Sequence, residues 1–582
     1  MLNMRRLARI RQRWVTGRNQ SGLALVWMAL TLTLMLLFAG FAVDMSNWWL
    51  QAQRIQTAAD TGAHAGAAFL PADFNNARTT ATTSTSKNGF TAGGAMNTAV
   101  TVTQEPNPNR IRVRVASDVP SFFLDLIGIE TIRLTRESVA EYVAPVPMGS
   151  PQNKLGNDPE GVNPNAQMWV NIAGPQTGKQ QGERHHTNLC NASPREYGCS
   201  GSTSTEFSSD GYFFGMEVLS VAAGQPLEFQ VFDAAFVNVG STCTSNMPTS
   251  SQINGGSGFT ALTTKFPDAA TRYASGTTGG YCPGDQGWGS RNVQTSFIVR
   301  APDETPWSNV DNPVINTSTC APVTVAAYNP SSASTPSRYI YDLLMGSTTG
   351  LVNPSDGVIS FAEAFRRFTT FCSIPAGSVQ TGTYIIQVRT NALSSAPTVA
   401  NSGVTTEGHN RMAFRTGFGT SGLNEVSGAN VTLAALGRLP IYANSTGADT
   451  QFYMARVRPY DAGRTLRIHL YDMGEASQAG ALQILPPTEF ASTFSGCAIT
   501  RDDGAALNVN ASICQLNNVS SSSYNGRLIT IDVPIPPNYT CNEASASGCW
   551  IRIKAQYPAG ANVTDATTWS AAILGNPIRI VE

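Results

Sequence analysis

The sequence predicts a membrane-anchored α+β protein, with one N-terminal transmembrane helix, a small α+β segment after it, and two mainly β modules of sandwich or jelly-roll type. Three observations support this fold class. Residues 23–43 are apolar and uncharged, residues 110–116 alternate between apolar and arginine side chains, and the rest is rich in turn-forming Gly, Pro, Ser, Thr and Asn. With 582 residues, the chain is long enough for several domains.

The apolar run from Leu23 to Val43 contains twenty-one residues without a charge, and Asp44 follows it directly. At about 1.5 Å per residue, a helix of this length spans the roughly 30 Å hydrocarbon core of a bilayer. A cleavable signal peptide is the alternative, but its apolar region is shorter, roughly 7 to 15 residues. The run therefore favours an uncleaved transmembrane anchor.

A basic segment, residues 1–22, precedes the predicted span. Basic residues beside a first span stay on the cytoplasmic side, so we expect a cytoplasmic N-terminus and an exported chain after Asp44. The arginines of this segment are Arg5, Arg6, Arg9, Arg11, Arg13 and Arg18.

The composition of the remainder agrees with export. Charged residues make up 13% of the chain and the net charge is −1, which gives no electrostatic reason to expect nucleic acid as a partner. All ten cysteines follow the span, and an even number on the exported side favours disulfides over catalytic thiols or zinc ligands. Nearest-neighbour pairing would join Cys190 with Cys199, Cys243 with Cys282, Cys320 with Cys372, Cys497 with Cys514, and Cys541 with Cys549.

The helix is expected to continue past the membrane, because residues 44–70 contain no proline and no adjacent glycines. Small residues recur at every fourth position of this stretch, a spacing that lets another helix approach closely. Alternatively, alanine is present only as a good helix former. The two stripes are Ala58, Gly62 and Gly66, and Ala59, Ala63 and Ala67.

A compact β pattern follows this helix. In its second strand, Ile111, Val113 and Val115 face one way and arginines face the other, as expected for one buried face. A long helix followed by a small sheet gives residues 44–145 a pilin-like plan. Strands are expected at 99–104, 110–116 and 131–143, a turn at 105–109 and a short apolar helix at 119–127.

Short motifs within about the first 145 residues resemble a known family. They are Gly22, Gly40-Phe41-Ala42-Val43-Asp44, Ile55-Gln56-Thr57-Ala58-Ala59-Asp60, Phe122-Phe123 and Leu126-Ile127-Gly128. Together with the arginine-rich start, they resemble the N-terminal segment of TadG and TadE-like proteins of the bacterial tight-adherence (Flp pilus) system. A prepilin would carry glutamate five residues after the cleavage glycine, but Trp27 occupies that position after Gly22, which favours an uncleaved, TadG-like role.

The resemblance implies a single-pass protein of the bacterial inner membrane whose C-terminal region is periplasmic or extracellular. Its implied partners are other pilus-assembly or pilin-like membrane proteins, in addition to the lipid bilayer. The motif residues and the first small-residue stripe together give the expected helix-packing and assembly site: Asp44, Gln56, Ala58, Asp60, Gly62 and Gly66.

A linker rich in Pro, Gly and Asn, residues 146–165, separates this region from an internal duplication. Residues 212–233 align without gaps on residues 451–472, which predicts two copies of one module. Each copy resembles an antiparallel β-sandwich, similar in layout to jelly-roll-like prepeptidase C-terminal domains. The expected boundaries are a first module at 166–395, a linker at 396–408 and a second module at 409–582.

The sequence contains no His-Glu-x-x-His or Gly-x-Ser-x-Gly motif, and its five histidines are scattered. We therefore expect no enzyme activity, no catalytic residue and no cofactor. Asp233 and Asp472 end equivalent strands, where they could bind calcium or, alternatively, cap the following turn. His185 and His186 near Cys190 could form a metal site, but a solvated loop beside a disulfide is the favoured interpretation.

The predicted function is that of a non-enzymatic envelope protein of Flp/Tad pilus assembly, anchored once and exposing its β modules outside the cytoplasm. The alternative is a surface adhesin whose β modules bind a glycan or a partner protein. An exported hydrolase has the least support, because no pair of nucleophile and base can be named.

Overall fold

The structure is a computed structural model of the chain. It describes residues 21–70, 73–107, 109–143, 146–157, 166–190, 196–232, 247–273, 284–287, 295–303, 308–325, 336–346, 366–390, 408–419, 426–445, 449–545, 547–574 and 578–581. The chain divides into two compact units: the first is Met1–Val143 with Asn576–Glu582, and the second is Ala144–Gly575.

The first unit is built on one long helix, α1 (Ser21–Ala67), which contains the apolar run and continues past Asp44 as predicted. It is long and apolar enough to cross a membrane. A second helix, α2 (Phe74–Lys87), begins after Asp73, whose carboxylate accepts a hydrogen bond from the backbone N–H of Asn76 at 2.9 Å. This N-cap satisfies one of the N–H groups left open at the start of a helix.

The sheet of the first unit packs against these helices through the alternating face of its second strand. Ile111, Val113 and Val115 are fully buried with the small residues of α1, which confirms the predicted apolar face. A 3₁₀ turn at Leu124–Ile127 replaces the longer helix expected at 119–127, because the strand pairing extends further than predicted. The strands are β1 (Ala99–Gln104), β2 (Arg110–Pro120) and β3 (Thr131–Tyr142).

The far C-terminus belongs to the first unit, which differs from the expected second module ending at residue 582. The strand Ile578–Ile580 pairs antiparallel with β3, so the C-terminal strand completes the sheet of the first unit. Arg579 donates to the buried carboxylate of Glu141 at 2.8 Å, and Arg110 lies on the other side of that carboxylate at 3.4 Å. The long sequence separation of these partners explains why local patterns did not predict the pairing.

The second unit is a β-sandwich with a few short helices. Its strands are β4 (Met148–Gly149), β5 (Lys154–Leu155), β6 (Ala166–Ala173), β7 (Cys199–Ser200), β8 (Thr203–Ser204), β9 (Tyr212–Val218), β10 (Leu227–Phe232), β11 (Gly284–Gly287), β12 (Thr295–Arg300), β13 (Val323–Val325), β14 (Phe368–Ile374), β15 (Gly382–Thr390), β16 (Gly408–Phe418), β17 (Val431–Ala435), β18 (Leu439–Ser445), β19 (Asp449–Arg456), β20 (Thr465–Tyr471), β21 (Gly480–Leu485), β22 (Ala498–Arg501), β23 (Val509–Asn510), β24 (Gln515–Val519), β25 (Leu528–Pro534), β26 (Trp550–Gln556) and β27 (Val563–Ile573). Its helices are α3 (Ser250–Asn254), α4 (Ala269–Arg272), α5 (Pro336–Met345) and α6 (Ser521–Tyr524).

Two large sheets form this sandwich. Sheet A has the order β14-β10-β16-β6-β18-β27-β20-β25-β22, with β5 and β11 also paired to β16, and sheet B has the order β13-β12-β15-β9-β17-β4-β19-β26-β21-β24-β23. Aromatic side chains join the two inner faces. The ring centroids of Phe214 and Phe414 are 5.0 Å apart, and those of Phe452 and Trp569 are 6.2 Å apart.

The internal duplication has a structural counterpart, but the two copies do not form separate modules. In each copy the first strand (β9 or β19) lies in sheet B beside that copy's last strand (β15 or β26), and the second strand (β10 or β20) lies in sheet A. However, β16 and β17, expected to start the second module, pair with β10 and β9 of the first copy. Each copy alone would expose strand edges, and pairing across the expected boundary at 396–408 covers them.

Disulfides reinforce the second unit, as the even number of cysteines predicted. Cys243 and Cys282 lie outside the described residues. The described bridges follow the nearest-neighbour pattern: Cys190–Cys199, Cys320–Cys372, Cys497–Cys514 and Cys541–Cys549.

Candidate functional site at the membrane-exit end of the long helix

Asp44, the first charged residue after the apolar run, has a buried side chain that fastens a distant loop to α1. Its carboxylate accepts backbone N–H hydrogen bonds from Phe122 at 2.7 Å, Phe123 at 3.0 Å and Leu124 at 2.7 Å. The Nδ2 of Asn47 donates to the carbonyl oxygen of Pro120 at 3.2 Å. The segment 121–130, which we call the β2–β3 loop, is therefore held at the point where the helix leaves the apolar run.

Gly40 provides the second part of this attachment. A Cβ atom at residue 40 would lie 2.9 Å from Cβ and Cγ of Phe123, closer than van der Waals packing permits. Glycine therefore lets Phe123 lie directly on the helix, one turn before Asp44. Two of the motifs that carry the family resemblance, Gly40 to Asp44 and Phe122-Phe123, are the two sides of one contact.

The small-residue stripe of α1 is a close-packing surface, but its partner belongs to the same chain. A Cβ atom on Gly62 would lie 2.8 Å from Cγ2 of Thr85 in α2. One on Gly66 would lie 2.8 Å from the carbonyl oxygen of Ala77 and 2.9 Å from Cδ1 of Ile111. The expectation that this stripe receives a helix from another protein is therefore corrected, because α2 and β2 already occupy it.

The remaining expected site residues also make contacts within the first unit. Ala58 is fully buried in the core beside Gly62. Gln56 donates through Nε2 to Asp60 at 2.8 Å and to the carbonyl oxygen of Glu137 in β3 at 3.1 Å. These contacts join α1 to the sheet, so the stretch from Gln56 to Gly66 stabilises the unit itself.

Sequence reasoning named Asp44 but missed its partners. The hydrogen bonds connect residues about eighty positions apart, between 78 and 80 in sequence separation. One signal was available: a carboxylate directly after a membrane span needs donors, and an apolar loop between two strands offers open backbone N–H groups.

Asp472, one of the two weak calcium candidates, accepts a hydrogen bond from the backbone N–H of Gly526 at 2.5 Å. It thus holds the turn before β25 and not the turn after its own strand. Burial, followed by the negative charge of Glu475, raises the pKa of Asp472 well above its ordinary value. Asp233, the other candidate, lies outside the described residues.

Two neighbouring carboxyl groups, those of Glu475 and Asp565, also have raised pKa values. Burial and the charge of Asp565 raise the pKa of Glu475 to about 8, and burial raises the pKa of Asp565 to about 6 despite hydrogen bonds from the backbone of residues 474 and 475. Asp565 accepts from the N–H of Gly474 at 3.0 Å, and Glu475 accepts from that of Ala566 at 2.9 Å. Backbone donors thus satisfy these carboxylates, and we assign them a structural role.

The metal site considered around Cys190 is accounted for by a disulfide. Cys190 is bonded to Cys199, so neither sulfur is a thiolate that could bind a metal ion. His185 is largely buried, and burial together with the positive charges of Arg438 and Arg184 lowers its pKa to about 3. This histidine is therefore neutral at physiological pH.

This geometry defines a class of protein. Among the described residues, one helix is long and apolar enough to cross a membrane; it continues into a small α+β unit, and a β-sandwich follows in the chain. The family model for Flp pilus-assembly TadE/G-like proteins matches residues 22–68, which include Gly40, Asp44 and the small-residue stripe. No curated protein and no solved structure matches the chain. The N-terminal segment is thus TadE/G-like, and the family that it matches is one of Flp pilus assembly.

Proposed function

We propose that this protein is a non-enzymatic component of Flp/Tad pilus assembly in the bacterial inner membrane. In this proposal the protein has a single span, its N-terminus lies in the cytoplasm, and the β-sandwich lies in the periplasm or outside the cell; the arginines before the span support this orientation. The observation that carries the proposal is the contact of Asp44 and Gly40 with residues 122–124, because it lies in the TadE/G-like segment and makes that segment part of a folded unit.

Because the small-residue stripe of α1 is covered within the protein, the membrane span is the more suitable surface for partner proteins. Beyond Asp44, the small residues are covered by α2 and β2. Within the span, large apolar side chains such as Leu30, Met35 and Phe38 are exposed in the described structure. Other pilus-assembly or pilin-like membrane proteins would therefore contact this protein chiefly within the bilayer, by side-chain packing between helices.

A second candidate function, a surface adhesin, has one observation in its favour. The second unit contains a polar cleft of about 560 Å³. Hydroxyl, amide and guanidinium groups of this kind form the hydrogen bonds that sugar hydroxyls require. The cleft is lined by Gln180, Glu196, Arg501, Ser521, Ser522, Ser523, Asn525 and Arg527.

The two functions are separated by deleting the gene in its native bacterium, counting surface pili by electron microscopy and measuring adhesion to a surface. The assembly proposal predicts that pili are lost and that the full-length chain restores them. It further predicts that the cleft variant Asn525→Ala restores pili as well as the wild type does. Pili of normal number in the deletion strain, with adhesion lost, would reject the assembly role in favour of the adhesin.

A further inference from the structure

The β2–β3 loop carries a dense group of apolar side chains that the described residues of the protein do not cover. Leu126 is 84% exposed, Ile127 63%, Phe122 61%, Phe123 48% and Ile129 42%, all within eight residues. Water-exposed patches of this kind are rare unless they mark an interaction surface. This surface is therefore expected to bind another molecule, and the position of the loop on α1 indicates which one.

The loop lies beside the membrane span itself. Phe123 contacts Gly40, which is three residues inside the apolar run that ends at Val43, or about 4.5 Å at the rise of an α-helix. Trp49 follows Asp44 by five residues and is 67% exposed, as is typical of tryptophan at the interface between lipid and water. The loop is thus fixed on the membrane side of this aromatic position.

The backbone of the loop is also suited to a poorly hydrated site. Non-helical backbone at membrane depth requires internal hydrogen-bond partners. Asp44 accepts from Phe122, Phe123 and Leu124, and inside the loop Leu126 donates to the carbonyl of Phe123 and Ile129 to that of Leu124. The exposed charges of Asp125 and Glu130 limit the depth to the headgroup boundary.

We propose that the β2–β3 loop is a second membrane contact of this protein, which inserts Phe122, Leu126, Ile127 and Ile129 into the outer boundary of the bilayer that α1 spans. The occupant is lipid, because the apolar loop is continuous with the lipid-facing surface of the span. This inference rests on the proposed transmembrane anchor. The loop, held by Asp44, would fix the height and tilt of the exported sheet of the first unit relative to the membrane.

The test measures the depth of a spin label in the full-length protein, reconstituted in vesicles of phosphatidylethanolamine and phosphatidylglycerol. The described cysteines are all in disulfides, so Leu126→Cys can be labelled without reductant, with the parent protein as the labelling blank. Leu219→Cys is the matched control, since Leu219 is also exposed, at 56%, but lies in the second unit. Leu30→Cys, inside the span, tests the anchor.

The proposal predicts that the label at residue 126, like that at residue 30, collides with oxygen and is shielded from a water-soluble nickel complex. The label at residue 219 should show the reverse. Nickel access at residue 126 equal to that at residue 219 would overturn the proposal, and so would shielding from both reagents, which indicates burial against protein. If the nickel complex also reaches the label at residue 30, the proposed membrane anchor is rejected together with the loop contact. If the label at residue 30 is embedded but the label at residue 126 is exposed, only the loop contact is rejected.

Discussion

At the scale of single residues, Asp44 has the clearest structural role. A carboxylate at the end of an apolar run must find donors or water, and here it receives three backbone N–H groups from a loop almost eighty residues away. Hydrogen bonds to a charged acceptor are stronger than those between neutral groups. The contact thus fixes both the end of the span and the position of the loop.

Replacing Asp44 by alanine should release the β2–β3 loop. The amides of residues 122–124 would lose their acceptor, and hydrogen exchange of these amides in the detergent-solubilised protein should become faster than in the wild type. Asp60→Ala is the control, because the half-buried Asp60 accepts from Gln56 on the same helix and not from the loop. Unchanged protection of residues 122–124 in Asp44→Ala would show that the carboxylate does not hold them.

The buried carboxyl groups of the second unit predict how its stability depends on pH. The pKa of Glu475 is about 8 in the folded protein, against an ordinary value of 4.5, so between these values the folded state binds a proton that the unfolded chain has released. The free energy of unfolding should therefore fall as pH rises from about 4.5 to about 8, by up to roughly 1.4 kcal/mol per pH unit for this group, and should level off above that pH.

Buried histidines give the free energy of unfolding the opposite pH dependence at lower pH. His185 and His409 have pKa values lowered to about 3 by burial, so the unfolded chain binds their protons below about pH 6.5 and stability is lost as pH falls. Denaturant unfolding followed by tryptophan fluorescence across this range measures both effects. Glu475→Gln should remove the fall in the free energy of unfolding up to pH 8, and an unchanged slope between about pH 6.5 and pH 8, where the histidines are neutral in both states, would contradict the assignment.

At the scale of elements, α1 has two distinct parts. Its apolar part, up to Val43, is exposed, whereas the part after Asp44 is a core helix that α2 and β2 cover around Gly62 and Gly66. Close approach of α2 requires the absence of side chains at these two positions, which explains why glycine is tolerated in the interior of a long helix despite its low helix propensity.

Gly62→Leu and Gly66→Leu should each destabilise the first unit. A leucine at either position must displace Thr85 or the backbone of α2, and overpacking of this kind costs typically 1–3 kcal/mol. Gln53→Leu is the control on the exposed face of the same helix. Trypsin resistance of the first unit provides the measurement. Wild-type resistance in both glycine variants, together with loss of pili, would restore the earlier interpretation that the stripe receives a partner helix.

At the scale of the whole molecule, the chain joins segments that are distant in sequence. The C-terminal strand Ile578–Ile580 completes the sheet of the first unit, so that unit needs both ends of the chain. In the second unit, strands from the two sides of the expected module boundary pair with each other in both sheets. A fragment cut at the expected boundary, 396–408, would therefore expose unpaired strands.

Each disulfide of the second unit should contribute more to the free energy of unfolding when the loop that it closes is longer. Cys320–Cys372 spans 52 residues and Cys541–Cys549 spans 8, for which the chain-entropy model gives about 4 and about 2.5 kcal/mol. Unfolding in urea of the two double-alanine variants would measure these costs. A larger loss for the short bridge would show that native-state strain or residual structure, and not loop closure, dominates.

Local patterns predicted much of this molecule, and long-range pairing accounts for what they missed. The span, the continuing helix, the alternating strand 110–116 and the nearest-neighbour disulfides follow from composition and period along a few turns or strands of chain. The contact between Asp44 and residues 122–124, the return of residues 578–580 and the shared sheets depend on which elements meet in space. No period along the sequence encodes that choice.

The proposed assembly role requires that the native side chains of the membrane span in the TadE/G-like segment act in pilus assembly, beyond anchoring the protein. Replacing residues 23–39 by a leucine-alanine helix of equal length keeps the anchor, Gly40 and Asp44 while removing the native side chains exposed along the span. Fractionation serves as the control and should recover this variant in the membrane in wild-type amounts.

The decisive measurement is the number of surface pili per cell when this variant replaces the native protein in a deletion strain. If partner proteins pack against the native span, pili should be lost although the protein is anchored and folded. Wild-type pilus numbers with the substituted span would contradict it.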